Sequence, residues 1–354
     1  AYKVLTPLAS LLLLPFIAVE RLVFGLSSQS SWSLPAAVKG IILAKQGKID
    51  LIFSSGGAWS AHYAAWLIKK VTGLPWIAEI HDPMVLRHSE EDDGTSPRAT
   101  KDARFLQRLE GLICQHADHV WWFTQEALNR AKSRHPSLGD KGFVVLPGAM
   151  PPGCQEPIPQ HVYQKHLRIA HFGSLADDRS LAPLLEALHQ FFIQVPDARA
   201  SIQVVNYGSD LDQAAKSLVT RYHLQDMVIT PGRVPADPVR GKSGRECSME
   251  LMRQADVLLL LCGNTESCSE YIPSKLYDYY WTQRPVFALS HRNPDMDRLL
   301  LDRGAYVSHT NDLASVLNCL ESMWGAWLKQ SLPAPHLQPI TPETAVEQIL
   351  KKIL

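Results

Sequence analysis

The sequence predicts an α/β protein made of two halves, each with its own parallel sheet. Two observations carry this reading: short apolar runs alternate with amphipathic helical stretches in both halves, and a stretch dense in proline and glycine separates them. Length is a third. At 354 residues the chain can form two domains of ordinary size, each burying a core of its own.

In the first half, apolar positions at helical spacing over 35–46 lead to a buried strand at 50–55 that ends in Gly56 and Gly57. A helix at 60–71 follows, and the unit repeats with a strand at 75–80 ending in His81-Asp82-Pro83, then with strands at 119–123 and 143–146. An acidic run at 89–94 precedes a helix to about residue 117, whose Arg98, Lys101, Arg104 and Arg108 fall near one face. That face reads as solvated, or else as a contact for anionic lipid or a phosphate-bearing acceptor. Pro147, Gly148, Pro151, Pro152, Gly153, Pro157 and Pro159 then exclude helix and central strand. The expected organisation is therefore a first domain over 1–150, a hinge over 151–160, a second domain over 161–340 and a closing segment over 341–354.

The second half restarts with a strand at 167–172, then Gly173, Ser174 and Arg179, and a helix through 192. Strands at 200–206 and 227–230 end in Tyr207-Gly208 and Gly232-Arg233-Val234-Pro235, and 255–261 supplies a central strand. Next comes the stretch the chain is organised around. A loop carrying Glu270 runs through Pro273 to Ser274, expected to cap a short helix with Asp278 one turn inside, and Arg284-Pro285 leads to a strand at 286–289. An amphipathic helix over 342–354, with Thr341 as its cap and Pro342 at its first position, closes the chain.

Parallel sheets bind ligands beyond the carboxyl ends of their strands, which directs attention to these loops. Free N–H groups at the helix mouth favour an anion, and Glu270 and Asp278 can accept hydrogen bonds from sugar hydroxyls. Gly173 lets backbone approach a ligand, and Arg179 can clamp a diphosphate with two parallel bonds. Plainer roles stand beside each of these. Glu270 can be a solvated loop acid, Asp278 a helix-face acid, Arg179 an arginine at a helix start, His62 a packed helix histidine and Asp82 an Asx turn before Pro83.

Composition narrows the classes. Lys plus Arg equals Asp plus Glu at 35 each, which gives no global case for nucleic acid. Six cysteines without a Cys-x-x-Cys pair argue for reduced thiols in a cytoplasm and against a disulfide frame or zinc site. Asp210-Leu-Asp212 and Asp295-Met-Asp297 have a metal-like spacing, but both precede expected helices, where acids act as caps, so no metal is expected. The apolar run at 5–19, broken by Pro7 and Pro15, is open to three readings: a core helix, an interfacial segment, or a signal or anchor.

Glu270 and Asp278, seven residues apart between them, resemble the Glu-x7-Glu donor motif of family 4 glycosyltransferases. Ile-Pro-Ser-Lys-Leu-Tyr-Asp-Tyr followed by Arg-Pro-Val is similar to the form of that motif in polysaccharide-assembly members, with Asp278 in place of Glu and Gln283 in place of the usual Gly. Ser-Gly-Gly-Ala-Trp-Ser-Ala-His, Trp-Ile-Ala-Glu-Ile-His-Asp-Pro and Phe-Gly-Ser-Leu through Arg179-Ser180 resemble further segments of the same transferases; His81 and Met84 depart from the usual Arg and Trp. The resemblance implies a GT-B fold, two Rossmann-like domains facing each other across a cleft, with the closing helix crossing back to the first. It implies a retaining, metal-independent hexosyltransferase that needs no cofactor, moving a sugar from a nucleotide-diphosphate donor to a glycan or lipid-linked acceptor, in the cytoplasm and peripheral on the inner membrane face. It assigns Gly173, Ser174, Arg179, Gly208, Gly232, Arg233, Glu270, Ser274, Lys275 and Asp278 to the donor, and Gly56, Gly57, Trp59 and His62 to the acceptor side. Asp82, His81, Arg179 and Glu270 are its catalytic candidates. Similar enzymes begin with a strand and Gly-rich loop not found here, so a truncated start is expected. Two alternatives stay open: a non-catalytic sugar-nucleotide-binding subunit or inactive fragment, and a nucleotide-sugar epimerase or phosphorylase on the same fold.

Overall fold

The strand and helix patterns of both halves fold largely where their periodicity places them. The computed structural model describes residues 32–56, 59–85, 97–150, 161–176, 178–335 and 339–354, with backbone alone at 97–102. The apolar run at 5–19, the acidic run at 89–94, the expected hinge at 151–160 and Gly57 lie outside the described residues. The chain divides into two units between Val145 and Leu146, ahead of the expected boundary at 150. The shift has a cause in hydrogen bonding. The Ala149 amide donates to the Ile340 carbonyl at 3.0 Å, and the Ala149 carbonyl accepts from Trp281 Nε1 at 3.1 Å.

The first unit runs α1 (Ser33–Lys45), β1 (Ile52–Ser55), α2 (Trp59–Thr72), β2 (Trp76–Ile80), α3 (Pro97–His116), β3 (His119–Trp122), α4 (Gln125–Arg134) and β4 (Gly142–Val144). Its four described strands are parallel in the order β1-β2-β3-β4. Asp118 pins the start of the sheet by accepting from the Trp76 amide at 2.6 Å and Lys69 Nζ at 2.7 Å. Buried Glu110 joins α3 to α4, taking both arms of Arg134 at 2.8 Å and His135 at 3.0 Å.

The second unit runs β5 (Leu167–Gly173), α5 (Ala182–Gln194), β6 (Ile202–Gly208), α6 (Gln213–Arg221), β7 (Val228–Ile229), α7 (Gly244–Gln254), β8 (Val257–Leu261), α8 (Lys275–Tyr280), β9 (Val286–Ser290), α9 (Pro294–Leu301), β10 (Tyr306–His309), α10 (Leu313–Leu328) and α11 (Pro342–Ile353). All six described strands are parallel, in the order β10-β9-β8-β5-β6-β7. Every residue of β8 and β9 is buried, as continuous apolar runs in a sheet covered on both faces should be. The two-residue period sorts β8 cleanly: Val257, Leu259 and Leu261 join the core under α5 and α10, while Leu258 and Leu260 join the core under α7, α8 and α9.

The helix ends follow local chemistry. Thr341 accepts from the Thr344 amide with Pro342 in the first turn, as expected. Asp212 caps α6 and Asn293 caps α9, with Asp295 and Asp297 inside the first turn of α9. Ser274 is a correction. Its backbone is already helical at φ −57° and ψ −25°, and its side chain makes no cap, because the chain tightens ahead of α8 with Leu276 and Tyr277 donating to the Pro273 and Ser274 carbonyls. Gln283 stands at φ +55°, the left-handed conformation that glycine adopts without strain, which accounts for the usual Gly at that place in the resembled motif.

Order reverses between β5 and β8, and there the ladder stops at His171 and Leu259. Beyond it the strands splay, which would strand two buried backbone groups. The buried Tyr279 hydroxyl from α8 fills the gap, accepting from the Phe172 amide at 3.2 Å and donating to the Leu259 carbonyl at 3.1 Å. Tyr279→Phe leaves both groups unsatisfied in an otherwise intact core, so it is expected to lower unfolding free energy by about 1–3 kcal/mol, read from the urea midpoint.

Candidate functional site

The site begins with backbone at the carboxyl ends of β5, β6 and β7. Gly173 and Gly208 are register partners at the last rung of their ladder. A Cβ on Gly208 would lie 1.9 Å from the Gly173 carbonyl oxygen, so no other residue allows this approach. The Gly208 amide donates to the Gly232 carbonyl at 3.0 Å, and the Ser209 amide to Gly173 at 3.4 Å. Three strand-end loops are laced into one floor.

Beneath this floor, Asn206 is fully buried. Its amide group donates to the Ser209 carbonyl at 2.8 Å, which leaves Oδ1 to accept from His171 Nδ1 at 2.7 Å. Burial, and after it the nearby Arg179 charge, hold the His171 imidazole below the usual histidine range, against the opposing Asn206 bond. The neutral ring then carries its proton on Nδ1.

Above the floor lies a cavity of about 750 Å³ within the second unit. Its wall includes the Tyr207 ring, stacked on Phe172 at 4.6 Å and 14°. Arg233, Arg245 and Lys275 place three cations on the lining against one carboxylate, Asp278. Asp278 Oδ1 accepts from Arg245 at 2.9 Å and Oδ2 from Lys275 Nζ at 3.4 Å. Arg245 also donates to the Met150 carbonyl at 3.0 Å, so its guanidinium is held between a fixed loop and the acid.

The cavity thus gathers Gly173, Ser174, Gly208, Arg233, Lys275 and Asp278 of the donor residues expected from sequence. Gly232 supports the floor from behind at φ +84°. Arg179, Glu270 and Ser274 do not line it. Arg179 is half-buried, and its Nε is buried with no hydrogen-bond acceptor among the described residues. Glu270 is buried at 2% exposure, which removes the solvated-acid reading; Asn293 holds its turn by donating to the Cys268 and Tyr271 carbonyls at 2.7 and 2.8 Å. Arg245 is a cavity residue that is not among those expected from sequence. The signal for it was present in the capping box of Ser243 and Glu246, which starts α7 and so puts Arg245, Ser248, Met249 and Met252 at helical spacing on the cavity side.

In the first unit, His62 faces inward. It is fully buried, with Trp76 Nε1 donating to Ser54 Oγ at 2.8 Å, Ser54 bonded to His62 Nδ1 at 2.9 Å, and His62 Nε2 bonded to the Gly56 carbonyl at 3.2 Å. One neutral tautomer, protonated on Nε2, satisfies the whole chain, and no ring nitrogen is left for an acceptor. Trp59 likewise packs its ring edge-on to Phe105 at 5.0 Å. Gly56, at φ +97°, serves as the acceptor of the His62 bond. Asp82 is exposed beyond β2, and His81 bonds the Glu79 carboxylate at 2.9 Å with its ring 5.0 Å from Phe123.

No family model matches the chain, and no curated protein matches its sequence. Among solved structures, Anabaena HepE in complex with UDP-glucose superposes with a TM-score of 0.61 at 14% identity, covering 90% of this chain and 81% of that one. The lipopolysaccharide outer core galactosyltransferase WaaB gives 0.58 at 12% identity, covering 91% and 79%. A Staphylococcus aureus TarM variant in complex with UDP, fondaparinux and α-GlcNAc-glycerol gives 0.54 at 10%, covering 89% of this chain and only 58% of TarM. The fold is GT-B, with a Rossmann-like α/β unit in each half. Among the described residues no helix is long and apolar enough to cross a membrane.

His62 gives a pH test. Burial, chiefly, lowers its pKa from 6.5 to about 4, outweighing the Gly56 bond, which raises it, while the His81 charge lowers it further. The unfolded chain therefore binds the extra proton first, and stability drains away as pH falls from about 6.5 to about 4, by about 3 kcal/mol in all. Urea midpoints at pH 7 and 4.5 should differ markedly less in His62→Gln than in the parent chain.

Proposed function

We propose that this protein is a glycosyltransferase that takes its sugar from a nucleotide-diphosphate donor bound in the cavity of the second unit. The observation that carries the reading is the place and charge of that cavity: it opens beyond the carboxyl ends of β5 and β6, and among its described lining residues Arg233, Arg245 and Lys275 stand against one carboxylate, Asp278. The UDP-glucose in HepE and the galactosyltransferase name of WaaB support a UDP-sugar as the first donor to try.

Each residue then has a task. Breaking the bond from the anomeric carbon to oxygen leaves a nucleoside diphosphate, so the developing charge must meet a preset positive field. Arg233, Arg245 and Lys275 supply it, the Gly173 and Gly208 backbone lets the phosphates approach, and the Tyr207 face takes the base. Asp278, oriented by Arg245, accepts from the ribose. Arg179, outside the cavity lining, is assigned to the diphosphate because its buried Nε has no acceptor among the described residues, and Glu270 is assigned to the donor sugar. His81 and Asp82, at the open end of β2, are assigned to the acceptor, a glycan or a lipid-linked glycan. A lipid-linked acceptor would bring the chain to the cytoplasmic face of a membrane. In this reading transfer retains configuration and needs no metal, with a donor phosphate oxygen taking the acceptor's proton.

The test is calorimetric titration of UDP-, GDP- and ADP-sugars in EDTA into the parent chain and into Asp278→Ala and Arg233→Ala. One nucleotide class should bind saturably, and each variant should weaken it about tenfold or more, the loss of one charge-assisted contact. Absence of saturable binding by folded protein, for all three classes, would sink the donor site. Binding without sugar transfer to any glycan or lipid-linked acceptor would leave a sugar-nucleotide-binding subunit instead.

A further inference from the structure

Behind the cavity wall, three hydrogen-bond donors stand together without an acceptor. α8 presents Lys275 and Asp278 to the cavity, while Tyr277 and Tyr280, two positions on from each and so about 200° round the helix, join the core under α7, α8 and α9. Tyr277 is 4% exposed and Tyr280 3%. Their hydroxyls and Nε of the half-buried Arg303 are buried atoms with no hydrogen-bond partner among the described residues.

These groups are neighbours. Arg303 follows α9, and its guanidinium carbon lies 4.7 Å from the centre of the Tyr280 ring. Burial raises the pKa of both phenols, Tyr280 raises that of Tyr277 further, and the Arg303 charge lowers both. The hydroxyls therefore keep their protons at neutral pH and are available as donors beside a cation.

Structural duties account for part of the cluster. Arg303 closes α9, with Nη1 donating to the Leu299 carbonyl at 3.2 Å and its amide to the Leu300 carbonyl at 3.0 Å. The Tyr280 ring holds the guanidinium over its face. Neither duty uses Nε, and no carboxylate pairs with Arg303 among the described residues. Phenylalanine would fill the same core positions as Tyr277 and Tyr280 without burying a hydroxyl, so the two phenols call for an acceptor. A single water has too few lone pairs to accept from all three donors, whereas a halide ion accepts from several at once. One guanidinium offsets one negative charge, and a phosphate dianion would bring more than that into the core.

From this arrangement we infer a buried site for one monatomic anion, chloride, held by Tyr277 Oη, Tyr280 Oη and Arg303 Nε between α8 and the turn that closes α9. The ion braces α8 from the side opposite its cavity face, as Tyr279 braces it against β5 and β8. This site does not depend on what the cavity holds.

The experiment follows thermal unfolding of the full chain as sodium chloride replaces sodium gluconate at constant ionic strength. A saturable rise of the midpoint with chloride is expected. The double substitution Tyr277→Phe and Tyr280→Phe removes two donors at nearly constant volume. In gluconate it should be at least as stable as the parent, because the unmet groups are gone, and in chloride it should be less stable. Arg303→Gln should also lose the chloride response. Crystals of the parent chain grown in bromide should show an anomalous peak within hydrogen-bonding distance of all three donors, a result that needs no variant to fold. Unfolding indifferent to chloride, a response that the double substitution retains, or bromide crystals without that peak would assign the donors to buried water and overturn the site. A response abolished by Arg233→Ala and kept by the double substitution would place the anion in the cavity and overturn it equally.

Discussion

The second unit depends on how its sheet closes where the strand order turns around. Parallel strands diverge at that point because their following helices leave toward opposite faces, and divergence is what opens a crevice. It also exposes backbone groups that neither strand can satisfy. The Tyr279 phenol resolves both consequences with one group. By bonding to the Phe172 amide and the Leu259 carbonyl, it fixes α8 against β5 and β8, and α8 carries Lys275 and Asp278. The cavity wall is thereby referenced to its floor through about 3 Å of hydrogen bond on each side rather than through a flexible loop.

The floor has a complementary requirement. Gly173 and Gly208 touch through bare backbone, so the loops beyond β5 and β6 can lie side by side. Asn206 and His171 brace that contact from below, and the neutral state of His171 follows from its depth, against the Asn206 bond. Charge is then added only on the rim, where Arg245 and Lys275 keep 49% and 42% of their side-chain surface exposed. Their pairing with Asp278 is correspondingly weak.

Much of this was legible because it is local. The β8 and β9 runs, the Thr341 cap, and the glycines and Arg233 that follow strands each announce themselves in a few residues. What stayed hidden depends on contacts distant in sequence. Tyr279 reads as one more apolar residue of Lys-Leu-Tyr-Asp-Tyr-Tyr until β5, over a hundred positions earlier, is placed beside it (|i−j| = 107). Arg245 reads as a surface arginine until Asp278 is brought to it (|i−j| = 33). Ser274 shows the opposite failure, where a strong local cap signal loses to Pro273, whose carbonyl already accepts from Leu276 and starts the turn early. His62 had two readings from sequence, and the hydrogen-bonded chain from Trp76 through Ser54 to Gly56 decides for the packed one.

Arginine serves opposite purposes at the two ends of β5. On the rim of the cavity, water solvates the cations of Arg245 and Lys275, so their presence costs little. At the amino-terminal end, Arg253 and Arg284 are withdrawn from water. Burial opposes the charge of Arg284 and pulls its pKa down, against the pull of Asp256, which raises it. Asp256 opposes that cost: fully buried and fixed by His161 Nε2 and the Arg168 amide at 2.7 Å each, it sets a negative charge against Arg284 just ahead of β8.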